Sequence, residues 1–296
     1  MEQTAESMNV STELARWFCT PPGRYLLEWE QAQLDSTLID FFGFHAAQLG
    51  VPELDALRAN RMPHRWLALD SMQQYEPLAS ARVQSKTQAE SRSVNGPDTH
   101  VPINGVALRC AFDALPFATQ SLDLVVLPHT LELGDDPHET LREVERVLVP
   151  EGRVVIIGMN PTSLWGLRQS MGALRRRLGW GGQGGQYLPS GGEFIGFRRL
   201  RDWLRLLAFQ VEGGKFGCYR PPVRSEKWLN RFAWMEKAGD RWWPVFGSVY
   251  FLVAIKRVHG MRLVGLVPKV RGAAVAAPAV AVHHNQKTHE SRSQDQ

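Results

Sequence analysis

Between Leu115 and Pro161 the chain reads LPFATQSLDLVVLPHTLELGDDPHETLREVERVLVPEGRVVIIGMNP, and no other stretch restricts the fold so tightly. Ser121 to Leu127 is a short run of apolar and β-branched residues, suited to a strand covered on both faces, and Pro128 ends it. Asp136-Pro137-His138-Glu139 then supplies an N-cap, a proline at the first helical position and the glutamate of a capping box. Leu141, Val144, Val147 and Leu148 recur at helical spacing, which predicts that Arg142, Glu143, Glu145 and Arg146 stay wet. Pro150-Glu151-Gly152 stops the helix, and Arg153 to Gly158 is a second buried strand. Two such strands joined by an amphipathic helix form a right-handed βαβ unit of a parallel sheet.

The neighbouring segments extend this unit. Helices are expected over Thr12 to Phe18 and Tyr25 to Phe42, followed by a first strand at His45 to Gly50 and a helical Glu53 to Ala59. Trp66 to Asp70 and Val106 to Phe112 are the next strands. After Pro161, Thr162 or Ser163 caps a helix whose Leu164, Leu167, Met171, Leu174 and Leu178 share one face. A glycine-rich loop at Gly179 to Gly192 suggests a lid over an acceptor site, and a helix at Phe197 to Ala208 follows. Gln210 to Tyr219 and Gly247 to Lys256 supply the last strands. The alternation predicts a doubly wound, mostly parallel α/β sheet with an antiparallel last strand and added helices. Ligands in such sheets bind beyond the carboxyl ends of the strands, at the switch in strand order.

One domain is expected over residues 13–258, with a loose tail at 1–12 and a polar, flexible insertion at 80–100. A Trp-rich helical insertion spans 221–246, and 259–296 is expected to be a disordered basic tail. The formal net charge of +4 is too small to carry a nucleic-acid argument by itself. Cys19, Cys110 and Cys218 lack any CxxC or CxxH pairing, which suits buried, reduced thiols in a cytosolic protein. The polar, acidic start does not resemble a signal peptide, and no apolar run reaches the roughly 20 residues of a membrane span. No metal site is expected, since His283, His284 and His289 fall in the tail.

Three pieces together resemble the class I S-adenosylmethionine-dependent methyltransferases, in particular the small-molecule type. They are Asp113-Ala114-Leu115-Pro116-Phe117 after a strand, Ser121-Leu122-Asp123-Leu124-Val125 opening the next, and the run from Leu141 to Gly152 (LREVERVLVPEG) before a third. In that family the last two are usually written LPFxxxSFDxV and hREhxRVLKPGG. The resemblance implies S-adenosylmethionine as cofactor and a small-molecule methyl acceptor. It implies a carboxylate for the ribose hydroxyls at Asp70, and an adenine contact at Asp113 with Ala114 and Leu115. Pro128 and His129 would flank the sulfonium and the acceptor, with His129 as candidate general base. The family's DxGxGxG turn aligns with Gln48-Leu49-Gly50-Val51-Pro52-Glu53-Leu54, which keeps only Gly50. Val51, Pro52 and Leu54 are expected to crowd a cofactor there.

Plainer roles stand beside these. Asp113 also suits a turn before Ala-Leu-Pro, and His129 also suits the wall of a crevice without titrating in function. Asp123 belongs to the strand entrance. Arg175 to Arg177, Arg198, Arg199, Arg201 and Arg205 could meet an anionic substrate, RNA or a membrane surface, although a solvated basic face explains them without any of these. The tryptophans of 221–246 could form an acceptor pocket or simply pack an added helix. A protein that kept the fold and lost the cofactor is the alternative to an enzyme.

Overall fold

In the computed structural model, residues 13–70, 108–134, 136–177, 187–189 and 194–257 are described. The segments 1–12, 80–100 and 259–296, with most of the glycine-rich loop, lie outside the described residues.

Seven strands form one sheet: β1 His45–Leu49, β2 His64–Asp70, β3 Leu108–Cys110, β4 Leu122–Pro128, β5 Leu148–Met159, β6 Phe209–Gly217 and β7 Val249–Lys256. Their order is β3-β2-β1-β4-β5-β7-β6, and β7 runs antiparallel to both β5 and β6. The order reverses between β1 and β4, so the carboxyl ends of these two parallel strands border the crevice where ligands enter such sheets. The helices are α1 Pro21–Leu38, α2 Thr130–Leu133, α3 Pro137–Val147, α4 Leu164–Arg177, α5 Phe197–Leu206, α6 Glu226–Arg231 and α7 Trp234–Trp242. A short helix over 13–18 precedes α1.

Alternate residues of the central strands supply two cores. Leu124 and Val126 of β4 join Leu26, Leu34 and Leu38 of α1 on one face. Leu122, Val125 and Leu127 join Leu141, Val144 and Val147 of α3 on the other, with Leu200 and Leu204 of α5. That two-sided burial is why β4 and β5 carry continuous apolar runs.

The caps follow the chemistry legible in the sequence. Asp136 accepts from His138 N at 2.8 Å and Glu139 N at 3.1 Å, with Pro137 at the first helical position. Ser163, beside Leu164, accepts from Gly166 N at 3.1 Å and starts α4. At the other end of β4, Asp123 accepts from Phe44 N at 2.8 Å and His45 N at 2.9 Å, tying the start of β1 to β4.

Several boundaries differ from expectation. Helix α1 starts four residues early, because Thr20 caps it and two prolines follow. It stops at Leu38, where the Asn60 amide donates to the carbonyls of Leu38 and Phe41. Residues 53–59 form turns instead of a helix. Strand β5 already pairs at Leu148 with Leu122, so the Pro150-Glu151-Gly152 turn is a kink within it, with Glu151 left-handed at φ 64°.

Three of the four α3 residues expected to stay wet are engaged. Glu143 accepts from Leu115 N at 3.0 Å, and Arg146 donates to Leu115 O at 2.9 Å and Phe117 O at 3.0 Å. Glu145 pairs with the buried Lys256 at 2.8 Å. The charged positions of the LREVERV run therefore fasten the loop between β3 and β4 and the last strand.

Replacing Asp123 by Ala removes the acceptor for two strand-entrance N–H groups and should lower unfolding stability by about 1–2 kcal/mol. Urea titration of the variant against wild type measures this.

Candidate active site

At the carboxyl end of β1 the chain turns through two left-handed residues, Gly50 at φ 80° and Val51 at φ 40°. A β-branched residue is strained in that region, so something must hold the turn. The holder is Gln48, which is only 3% exposed. Its amide nitrogen donates to Gly50 O, Val51 O and Leu54 O at 3.2, 2.9 and 2.7 Å, and its amide oxygen accepts from Ala56 N at 3.0 Å. Leu54 O and Ala56 N are thereby unavailable to a helical ladder, which explains the turns at 53–59. Val51 and Leu54, expected to crowd the crevice, are instead buried in the core on the α1 side of the sheet. The side chains of Phe112 and Thr130 stand over Gly50, and the Thr130 hydroxyl donates to Leu49 O.

Asp70 ends β2, where it pairs in register with Cys110 at the end of β3. Burial, then the Asp70 charge, pushes the Cys110 thiol up to about 11. Asp113 and Ala114 are exposed in the turn after β3. Leu115 departs from its expected role. Its side chain is buried in the core and its N–H is taken by Glu143, leaving it no polar group for a ligand.

Pro128 is the buried last residue of β4. His129 follows in the left-handed region at φ 53°, with its N–H donating to Ile157 O. The expectation of a general base finds no free ring nitrogen here. His129 is 1% exposed, Nε2 lies 2.8 Å from Glu30 Oε1 and Nδ1 lies 3.0 Å from Glu132 Oε2. Glu132 also accepts from Met159 N, and the second oxygen of Glu30 is buried without a hydrogen-bond partner among the described residues. Burial by itself would strip the proton from His129. The Glu30 charge and the hydrogen bonds to both carboxylates outweigh it and push the pKa up to about 10. Burial also raises Glu132, partly offset by its hydrogen bond to His129. No spacing in the sequence announces Glu30, which arrives from α1, 99 residues away from its partner.

A family model described as a methyltransferase domain matches residues 59–156, starting just beyond the Gly50 turn. YafS, an uncharacterized protein of Escherichia coli strain K12, is 37% identical over 250 residues, which span 83% of this chain and 82% of that protein. Among solved structures, an S-adenosylmethionine-dependent methyltransferase of Thermotoga maritima, described as a possible histamine N-methyltransferase, is 14% identical. It superposes with a TM-score of 0.51 over 86% of this chain and all of that one, which establishes the common fold. The chain belongs to the class I S-adenosylmethionine-dependent methyltransferase family.

The crevice thus presents a left-handed glycine turn at Gly50, with Asp70 at the end of β2 and Asp113 in the turn after β3. With Val51 and Leu54 withdrawn into the core and only the half-buried Pro52 left of the three, the residues present fit S-adenosylmethionine. The family's acidic position is held here by an amide for a local reason. A carboxylate at 48 would face three backbone carbonyl oxygens and offer them no donor.

Gln48→Glu should accordingly destabilise the protein by about 2 kcal/mol instead of restoring a family feature, because Gly50 O and Leu54 O lose the amide donor and Val51 O keeps only Leu54 N. The unfolding midpoint in urea is the measurement.

At the His129 cluster both raised groups make the native chain bind more protons than the unfolded one. Their stabilisation is present below the unfolded pKa values, and is lost as pH rises, for His129 between about 6.5 and 10. Wild-type stability should therefore fall across that window, and Glu30→Gln should flatten the slope. Urea midpoints at a series of pH values read it; parallel profiles would contradict it.

Proposed function

We propose that this protein is an S-adenosylmethionine-dependent methyltransferase acting on a small-molecule acceptor in the cytoplasm. The observation that carries the reading is that Gly50 and Asp70 lie at the carboxyl ends of the neighbouring strands β1 and β2, with Asp113 in the turn after the next strand, β3. We assign Asp70 to the ribose hydroxyls, Asp113 and Ala114 to the adenine, and the Gly50 turn to close backbone approach. When bound, S-adenosylmethionine supplies a methyl group on an already activated carbon, and its transfer is an in-line displacement for which positioning is the main requirement.

In this reading the chain's own residues orient the reactants. Pro128 and His129 lie buried behind the crevice at the end of β4, and Glu30 and Glu132 fix the His129 ring, so His129 positions the turn and does not abstract a proton. Exposed Arg198, Arg199 and Arg205 lie on α5. Arg199 stacks over Trp203 and Arg205 faces Asp202, contacts that suit a solvated basic face better than an RNA track.

Isothermal titration with S-adenosylhomocysteine tests the proposal. Binding with a dissociation constant of about 1–100 μM is expected, weakened roughly tenfold or more by Asp70→Ala and by Asp113→Ala through lost hydrogen bonds to a charged acceptor. No heat at millimolar ligand would overturn it, in favour of a binding protein that kept only the fold.

A further inference from the structure

The stripe on α4 is apolar and points outward. Leu164, Leu167, Met171 and Leu174 are 45–57% exposed, whereas Trp165 on the opposite side is buried in the core. An amphipathic helix normally packs by its apolar stripe, so a helix that docks through one tryptophan and exposes its leucines needs a partner for them. Across a groove of about 410 Å³ stand Met235, Trp243 and Phe246, with Tyr219 and the Ser163 turn at its base. Trp242, one heptad after Met235 on α7, is 74% exposed and Val245 is 55% exposed. Asn160 fixes the two walls together, donating to Val245 O at 2.8 Å and Gly247 O at 2.9 Å while accepting from the Thr162 hydroxyl at 2.7 Å. The groove follows directly on β5 and precedes β7, at the same end of the sheet as the crevice. The tryptophans of 221–246 therefore do not chiefly pack an added helix.

Charge identifies the partner. The two segments that carry the groove walls, 160–178 and 218–247, hold ten Lys and Arg against three Asp and Glu, a surplus of seven, while the whole chain's surplus is only four. Lys237 and Arg241 are exposed on α7, which carries Met235 of the groove wall, and Lys227 and Arg231 are exposed on α6 just before it in the chain. A second copy would bring the same surplus against itself. An anionic lipid bilayer complements it, and leucine and tryptophan beside lysine and arginine are the composition of helices that lie in the headgroup region. We propose that this face docks on an anionic lipid bilayer, with the α4 leucines and Trp242, Trp243 and Phe246 entering the boundary between headgroups and acyl chains. Among the described residues no helix is long and apolar enough to cross a membrane.

The test is cosedimentation of the full chain with phosphatidylcholine vesicles and with vesicles containing about 30% phosphatidylglycerol, at low and high salt. The expected result is partitioning at least about tenfold stronger onto the anionic vesicles, weakened by salt. The paired variant Leu167→Ser with Trp242→Ser should lower that partitioning about tenfold or more while leaving the thermal unfolding midpoint unchanged, since both side chains are already exposed. Three results would overturn the proposal. One is no partitioning of wild type onto anionic vesicles. Another is partitioning that the paired variant retains, which would make it electrostatic attraction alone. The third is a dimer in sedimentation that the variant dissociates without any vesicle binding. None of these measurements involves the cofactor, so their failure leaves the methyl-transfer reading standing, and the reverse holds too.

Discussion

The imidazole of His129, held between Glu30 and Glu132, joins the parts of this molecule on which the crevice depends. It sits at the carboxyl end of β4, takes one partner from α1 and the other from α2, and through Glu132 reaches the N–H of Met159 at the end of β5. Two carboxylates and a ring buried together are stable only when paired, and losing one partner leaves an uncompensated buried charge. The cluster therefore fixes the position of α1 over the sheet and the left-handed turn after β4 together. Thr130, the next residue, then carries that order to β1 through Leu49 O.

Gln48 plays the matching part at the end of β1. Both devices shape the crevice from behind, with side chains that face the protein interior. The two left-handed turns they hold, at Gly50–Val51 and at His129, lie at the ends of adjacent strands where the order of the sheet reverses. Family members that use a run of glycines here obtain backbone freedom from composition. This chain instead imposes the turn on a valine with four hydrogen bonds to one buried amide.

How much of this was legible in the sequence varied with the range of the interaction. Strands β1, β2, β4 and β5 and helix α3 were readable because burial on both faces and capping are local signals, carried by consecutive residues such as LDLVVL and DPHE. The placement of Asp70, Asp113 and Pro128 at strand ends followed from those strands. The roles of Glu143, Arg146 and Glu145 were not readable, since a charged residue on the polar side of a helix looks the same whether it meets water or a loop carbonyl. Residues 53–59 misled for a similar reason: their composition permits a helix, and only the Gln48 side chain takes the groups that a helix would need. The leucine stripe on α4 has the spacing of a buried face, and nothing local reveals that Trp165 on the other side is the one that docks.

The sequence by itself determined a doubly wound sheet, its strand ends, and a resemblance carried by the stretch from Leu115 to Pro161. Those features rest on hydrophobic periodicity and on capping, both of which act within a few residues. Only the tertiary structure decided that His129 is locked away from the crevice, that Val51 and Leu54 leave room for a ligand, and that an apolar face stays uncovered. Each of those outcomes depends on which distant side chain wins a buried site: Glu30 for His129, Gln48 for the turn after β1, Trp165 for α4. Competition of that kind is settled by packing in three dimensions and leaves no periodic trace along the chain.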